Sequence, residues 1–114
     1  DVSFISLKLV LPVAKSLMHG NGEAVALIKP QFEAGKEKVG KKGVVRDPKV
    51  HQEVIQEILD FSKGIGFGIK GLTFSPIKGP EGNIEFLVYL SCRGESVEFS
   101  AEDVVRQAHS LNIK

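Results

Sequence analysis

EAVALIKPQFEAGKEKVGKK, residues Glu23 to Lys42, is the stretch from which the fold can be worked out. Its apolar run, Ala24 to Ile28, is continuous rather than alternating and is entered through Gly20, Asn21 and Gly22. That pattern predicts a strand buried on both faces. The run stops at Lys29, and Pro30 follows at once. An ammonium group at the mouth of a buried strand sits where open α/β sheets hold ligands, just beyond the carboxyl ends of the strands.

Upstream, Leu7, Val10, Leu11, Ala14, Leu17 and Met18 recur at helical spacing, with Ser6 as N-cap. Pro12 removes one backbone donor, so this helix is expected to be irregular at first or to start properly only near Pro12. HGNG, His19 to Gly22, should end it. Downstream of Lys29, Gln31 to Arg46 reads as a long polar connection rich in glycine and lysine, a candidate functional segment. Asp47 and Pro48 then read as N-cap and first residue of a helix to Lys63, with Val50, Val54, Ile58, Phe61 and Ile65 as its apolar stripe. Phe67 to Phe74 should be a strand, and the turn-rich SPIKGPEG leads to a second strand, Ile84 to Leu90, antiparallel to it. Ser100 and Asp103 resemble a capping box for a terminal helix carrying Val104, Val105, Ala108 and Leu111.

This order of helix, strand, helix, strand, strand, helix predicts an α/β fold, half of a layered sheet with an antiparallel hairpin at its end. The chain has 114 residues, 42% apolar and 25% charged, which suits one globular domain. Its net charge of +1 means that any attraction for phosphate must come from local clustering. The single Cys92, with no secretory signal, fits a reducing cytoplasm. Asp1 leads directly into the apolar VSFISLKLVL, so upstream partners are expected. Part of the buried surface should be missing or supplied by a second copy of the chain across an open sheet edge.

Two motifs are decoys. GFGIKG, Gly66 to Gly71, satisfies G-x-G-x-x-G, but it follows a helix and enters a strand, the reverse of a dinucleotide site. GKEKVGKK, Gly35 to Lys42, nearly matches a P-loop, yet Lys42 stands where a magnesium-binding hydroxyl is needed and no helix follows directly.

If the strand ending at Lys29 is parallel to one ending near Asp1, both side chains lie at one edge of the sheet. The last strand starts at that edge, and its second residue, Glu85, is an acid set between Ile84 and Phe86. Asp1, Lys29 and Glu85 therefore form a candidate site. An ion pair closing the end of a sheet is the plain alternative.

Four blocks, DVSFISL (Asp1 to Leu7), LIKPQFEAG (Leu27 to Gly35), VGKKGVVRDP (Val39 to Pro48) and SPIKGPEGNIEF (Ser75 to Phe86), closely resemble the hemolysin A (TlyA-type) proteins, grouped with the FtsJ-like ribosomal RNA methyltransferases. The resemblance covers residues 1 to about 90. It implies the carboxyl-terminal half of a Rossmann-like, S-adenosylmethionine-dependent methyltransferase sheet over residues 1–92, with 93–114 as a tail ending in a helix. The implied reaction moves a methyl group from S-adenosylmethionine to a cytidine ribose 2′-hydroxyl in ribosomal RNA. Of the family's lysine, aspartate, lysine, glutamate tetrad, the motifs match Asp1, Lys29 and Glu85. Asp1, Val2 and Ser3 would touch the cofactor, while the first lysine, the glycine-rich cofactor loop and a small RNA-binding domain have no counterpart in this chain.

The roles make chemical sense. A ribose hydroxyl is a poor nucleophile, so a base must take its proton as the methyl group arrives, and an uncharged lysine can do so. The positive groups that would favour the uncharged form are missing, so the chain alone is expected to be inactive. Lys36, Lys38, Lys41, Lys42 and Arg46 are candidates to hold the RNA backbone, offset by Glu33, Glu37 and Asp47; a solvated lysine-rich loop is the alternative. His19, His51 and His109 read as isolated, with no metal-ligand spacing, and Cys92 has no identifiable partner. The expected partner is ribosomal RNA or a ribosomal subunit, in the cytoplasm, with no membrane. The competing readings are a non-catalytic RNA-binding or self-associating module and a hemolysin acting on membranes, the latter without a spanning segment in its favour.

Overall fold

The computed structural model describes residues 6–18, 20–40, 43–97 and 100–112, of which 36, 80, 111 and 112 are described by backbone alone. The elements run α1 (Leu7–Leu17), β1 (Glu23–Ile28), α2 (Pro30–Glu33), α3 (Pro48–Gly64), β2 (Gly68–Phe74), β3 (Phe86–Ser91) and α4 (Ala101–Asn112). Short 3-10 turns at Lys36–Lys38 and Pro80–Gly82 complete them.

The expected order is present, with α2 inserted. Lys29 is still extended, and the fixed φ of Pro30 at the first helical position lets the chain turn at once: Phe32 N–H donates to the Lys29 carbonyl at 2.9 Å, and Ala34 N–H to that of Pro30 at 2.9 Å. The segment expected to be one long loop therefore begins as a helical turn.

Among the described residues, the strands of this α/β fold form one sheet in the order β1-β3-β2, with each neighbouring pair antiparallel. β3 is central, which is why Phe86, Val88 and Leu90 are completely buried. The hairpin of β2 and β3 is the one expected, in register from Phe74 opposite Phe86 to Gly68 opposite Ser91, with a slip between Ile69 and Gly71. The reading of β1 as buried on both faces needs correction. Ile28 is buried, but Val25 is 66% exposed and its cross-strand partner Tyr89 38%. The described helices that pack on the sheet leave this side of β1 uncovered, so side chains that are uniformly apolar in sequence alternate in exposure.

α3 carries the largest share of the core. Val50, Val54 and Ile58 are buried as expected, and so are His51, Ile55, Leu59 and Ser62, while Phe61 and Ile65 are only half-buried. The apolar stripe is therefore wider than the expected one and turned towards Ile55 and Leu59. Each of these aliphatic side chains contributes about 1.5–3 kcal/mol on full burial. Asp47 caps the helix, accepting from Lys49 N–H at 2.9 Å, and the buried Ser62 hydroxyl donates to the Ile58 carbonyl at 2.7 Å. Gly66, at φ +101°, makes the turn from α3 into β2, so GFGIKG is a helix exit and not a phosphate cradle.

α1 starts at Leu7, not near Pro12. Ser6 Oγ accepts from Lys8 N–H at 3.1 Å, and Pro12 stands inside the helix. Only Leu11 of its expected apolar face is buried; Val10 and Leu17 are exposed, because α1 packs on α3 along a narrow line. α4 lies against α3 and β2 through Val105 and Ala108, both fully buried, and Ser100 Oγ accepts from Asp103 N–H at 3.1 Å as the capping pattern requires.

Candidate active site

Lys29 leaves the end of β1 half-buried, with its ammonium 5.6 Å from the centre of the Phe32 ring, inside the range of a cation–π contact. β1 and β3 pair up to Ile28 opposite Phe86. Lys29 and Glu85 are each one residue beyond that last pair, so Glu85 precedes β3 and is not its second residue as expected. The Glu85 carbonyl also accepts from Ser75 N–H at 2.8 Å, so all three strands meet at this rim. Among the described residues no ion pair joins Lys29 to Glu85, whose carboxylate is bonded to Gln31 instead. Asp1, with Val2 and Ser3, lies outside the described residues.

Glu85 is only 5% exposed, and a buried carboxylate must be hydrogen-bonded to be tolerated. Gln31, from the first turn of α2, supplies the bond: its Nε2 donates to Glu85 Oε2 at 2.7 Å. That contact fixes the amide orientation and leaves Gln31 Oε1 as a buried acceptor with no partner among the described residues. Gly79 closes the other side. A Cβ built there would fall 2.0 Å from Glu85 Oε2 and 2.5 Å from its carboxyl carbon, so only glycine admits the carboxylate. Gly79→Ala in the full-length protein should leave the unfolding midpoint within a few degrees, since the atom met is the tip of a side chain. In the catalytic reading proposed below, it should lower turnover by about 100-fold, because a displacement of about 1 Å can cost that much. Unchanged turnover would show that the position of Glu85 is immaterial.

A second set of bonds holds the loops around this rim. Buried Asn83 clamps residues 43–45: its Oδ1 accepts from Val45 N–H at 3.0 Å and its Nδ2 donates to the Gly43 carbonyl at 3.0 Å. The Val45 carbonyl faces His51 Nε2 at 2.8 Å, and His51 Nδ1 faces His109 Nε2 at 2.8 Å. A carbonyl can only accept, so His51 Nε2 carries the proton, its Nδ1 accepts, and His109 Nε2 donates. Burial lowers the pKa of His51 and of His109, opposed in both by the carboxylate of Asp47; the Val45 carbonyl also raises His51, and His109 lowers it. Both rings are therefore neutral near pH 7. The histidines read as isolated in sequence are corrected here: two of them, 58 positions apart, form one pair. His19 is outside the described residues.

The lysine-rich segment divides. Lys36 lies in the 3-10 turn, and Lys38 donates to Glu53 Oε1 at 2.6 Å, a contact that raises its pKa. Lys41 and Lys42 are outside the described residues, and Arg46 is exposed. Glu33 accepts from the Ser6 hydroxyl at 2.6 Å and from Leu7 N–H at 2.8 Å, so its charge serves the start of α1. Gln31, Gly79 and Asn83 were passed over in sequence although they stand inside PQF and GPEGN. Their roles need partners from distant segments, and only the spacing to Lys29 and Glu85 hinted at them. Among the described residues no helix is long and apolar enough to cross a membrane, and no group of three metal-binding side chains occurs.

The model of the FtsJ-like methyltransferase family matches residues 1–92. The chain is 57% identical over 98 residues to YqxC of Bacillus subtilis, a protein provisionally assigned as an rRNA methyltransferase, covering 86% of this chain and 35% of that one. It is 36% identical over 112 residues to the 16S/23S rRNA (cytidine-2′-O)-methyltransferase TlyA of Mycobacterium tuberculosis, covering 96% of this chain and 42% of that one. A Lactococcus lactis protein, provisionally assigned as a hemolysin, superposes with a TM-score of 0.89 at 52% identity, covering 96% of this chain and 53% of the other. The chain thus spans well under half the length of the two curated relatives.

Proposed function

The chain belongs to the FtsJ-like methyltransferase family, and from that premise we propose that it is the carboxyl-terminal part of an RNA methyltransferase. The reaction moves a methyl group from S-adenosylmethionine to the ribose 2′-hydroxyl of a cytidine in ribosomal RNA, with residues 1–92 in the methyltransferase portion and 93–114 as its tail. The observation that supports this reading is the pairing of β1 with β3 up to Ile28 opposite Phe86, with Lys29 and Glu85 each the next residue beyond that pair.

The donor set suits the reactants: a buried carboxylate for a positively charged group and a free buried acceptor, Gln31 Oε1, for a hydroxyl. S-adenosylmethionine supplies the electrophilic methyl group when bound, and Asp1, Val2 and Ser3 are the residues proposed to touch it. Lys29 Nζ is the group proposed to accept the proton of the 2′-hydroxyl as its oxygen becomes bonded to carbon. Glu85 and Asp1 orient that amine, and Gln31 keeps the Glu85 carboxylate in one rotamer. Lys36, Lys38, Lys41, Lys42 and Arg46 hold the RNA backbone in this reading.

The test is to incubate the full-length protein with methyl-labelled cofactor and ribosomal subunits, then digest the RNA to nucleosides. The label should appear in 2′-O-methylcytidine; label on a base, or none, would overturn the reading. The 114-residue chain alone should give no product, and turnover by it would refute its dependence on the rest of the protein. Replacing the five basic residues by glutamine in the full-length protein should weaken RNA binding and flatten its dependence on salt. Equal affinity and an equal slope would remove that loop from the RNA contact.

A further inference from the structure

Beside the rim lies a cleft of about 410 Å³, and of its lining residues only Arg46 has a role in the reading above. Its floor is Val44, Val45 and Ile84, and its walls carry Arg46, Lys78, Glu81 and His109. Ile84 is next to Glu85 in the chain, and Val45 is tied to Asn83, so the cleft and the Lys29–Glu85 rim share one scaffold. His109 comes from α4, outside residues 1–92, so one wall is not supplied by the segment that matches the family.

Resting on the methyltransferase reading, we propose that this cleft binds one nucleotide of the RNA strand next to the nucleotide being methylated. Arg46 and Lys78 approach from two different loops, both exposed, and neither has an ion pair among the described residues. Two cations that line one cleft with Val44, Val45 and Ile84 suit a phosphate and its base. Glu81 makes a free anion a poor occupant. Its carboxylate adds an acceptor that a nucleotide can meet with a ribose hydroxyl or a base amino group. Glu81 is also the one described non-glycine residue with positive φ, +56°, held in the turn closed by Gly82 N–H donating to the Gly79 carbonyl at 3.1 Å. Residues held in such sparsely populated conformations cluster at ligand clamps and active sites. The walls are fixed in advance: Asn83 clamps residues 43–45, and His51 holds the His109 ring.

The test uses the full-length protein and a fluorescent fragment of ribosomal RNA, with binding followed by anisotropy at several salt concentrations and without cofactor. Arg46→Gln with Lys78→Gln should raise Kd about tenfold and lower the salt slope by about one, for the single phosphate no longer neutralised. Lys63→Gln with Arg93→Gln removes the same charge near the opposite end of the sheet and should change Kd by less than about twofold. Equal weakening in the two double variants would mean diffuse attraction and would overturn the cleft, as would wild-type binding by the first. RNA carrying a photoreactive 4-thiouridine beside the target should cross-link to residues 78–84, and cross-links only elsewhere would also overturn it. Because these measurements need no methyl transfer, failure of the methylation assay with the cleft effect intact would sink the enzymatic reading alone.

Discussion

Replacing Lys29 by methionine in the full-length protein is expected to lower methyl transfer by about a thousandfold, within the range that a positioned general base supplies, while RNA affinity and thermal unfolding stay close to wild type. The fold should tolerate the change. Lys29 is half-buried, its described contact is with the face of Phe32, and methionine can occupy that ring face with its thioether. The informative partner is Lys29→Arg. Arginine keeps the positive charge but cannot give up its proton in a protein, so it should be as inactive as methionine if the amine works as a base. Substantial activity in the arginine variant would mean that the site needs a cation there and not a proton acceptor. Glu85→Gln should fall between wild type and these two, because the amide oxygen can still accept from Gln31 Nε2 while the charge proposed to orient Lys29 is removed. Single-turnover rates with saturating RNA separate these outcomes from changes in binding.

His51→Phe should cost about 2–4 kcal/mol of stability, read from denaturant midpoints at pH 7.5, since unsatisfied buried groups each cost about 1–3 kcal/mol. The ring volume is nearly kept. The variant removes the partner of the buried Val45 carbonyl and the acceptor for His109 Nε2–H. The same pair sets the pH response. Both histidines have folded-state pKa values below the ordinary value of about 6.5, so in mildly acid solution the unfolded chain binds more protons than the folded one. Their contribution is therefore complete above about pH 6.5 and is lost as the pH falls through the lowered values. Protonating His51 at Nδ1 would turn its acceptor into a donor facing His109 Nε2–H, which loosens α4 from α3. Wild-type stability should thus fall as the pH is lowered from about 7 to about 5, and His51→Phe should show a much flatter slope there. A stabilised variant, or an unchanged slope, would mean that the pair is not what holds α4.

Much of this molecule follows from local rules. Asp47–Pro48 is where α3 begins, Ser6 caps α1 in spite of Pro12, and Ser100 opens α4, because caps and fixed dihedrals act over three or four residues. The stop at Lys29-Pro30 marked the end of β1, and the hairpin of β2 and β3 was legible from SPIKGPEG between two apolar runs. The extent of burial was less legible. Val25 and Ile28 are equally apolar, yet one is 66% exposed and the other fully buried, since exposure depends on what packs above each face. The stripe on α3 was read too narrowly for the same reason: a buried histidine and serine count as polar in any pattern until their partners, the Val45 and Ile58 carbonyls, are known.

By itself the sequence determined the kind of each main element, the hairpin and the family likeness carried by four ordered blocks, because these are written in residues close together along the chain. Only the tertiary structure decided that β3 enters between β1 and β2, that Gln31 and Gly79 shape the seat of Glu85, and that His51 meets His109. Such contacts join residues up to 58 positions apart, and they exist only once burial has forced every polar group on the converging segments to find a partner.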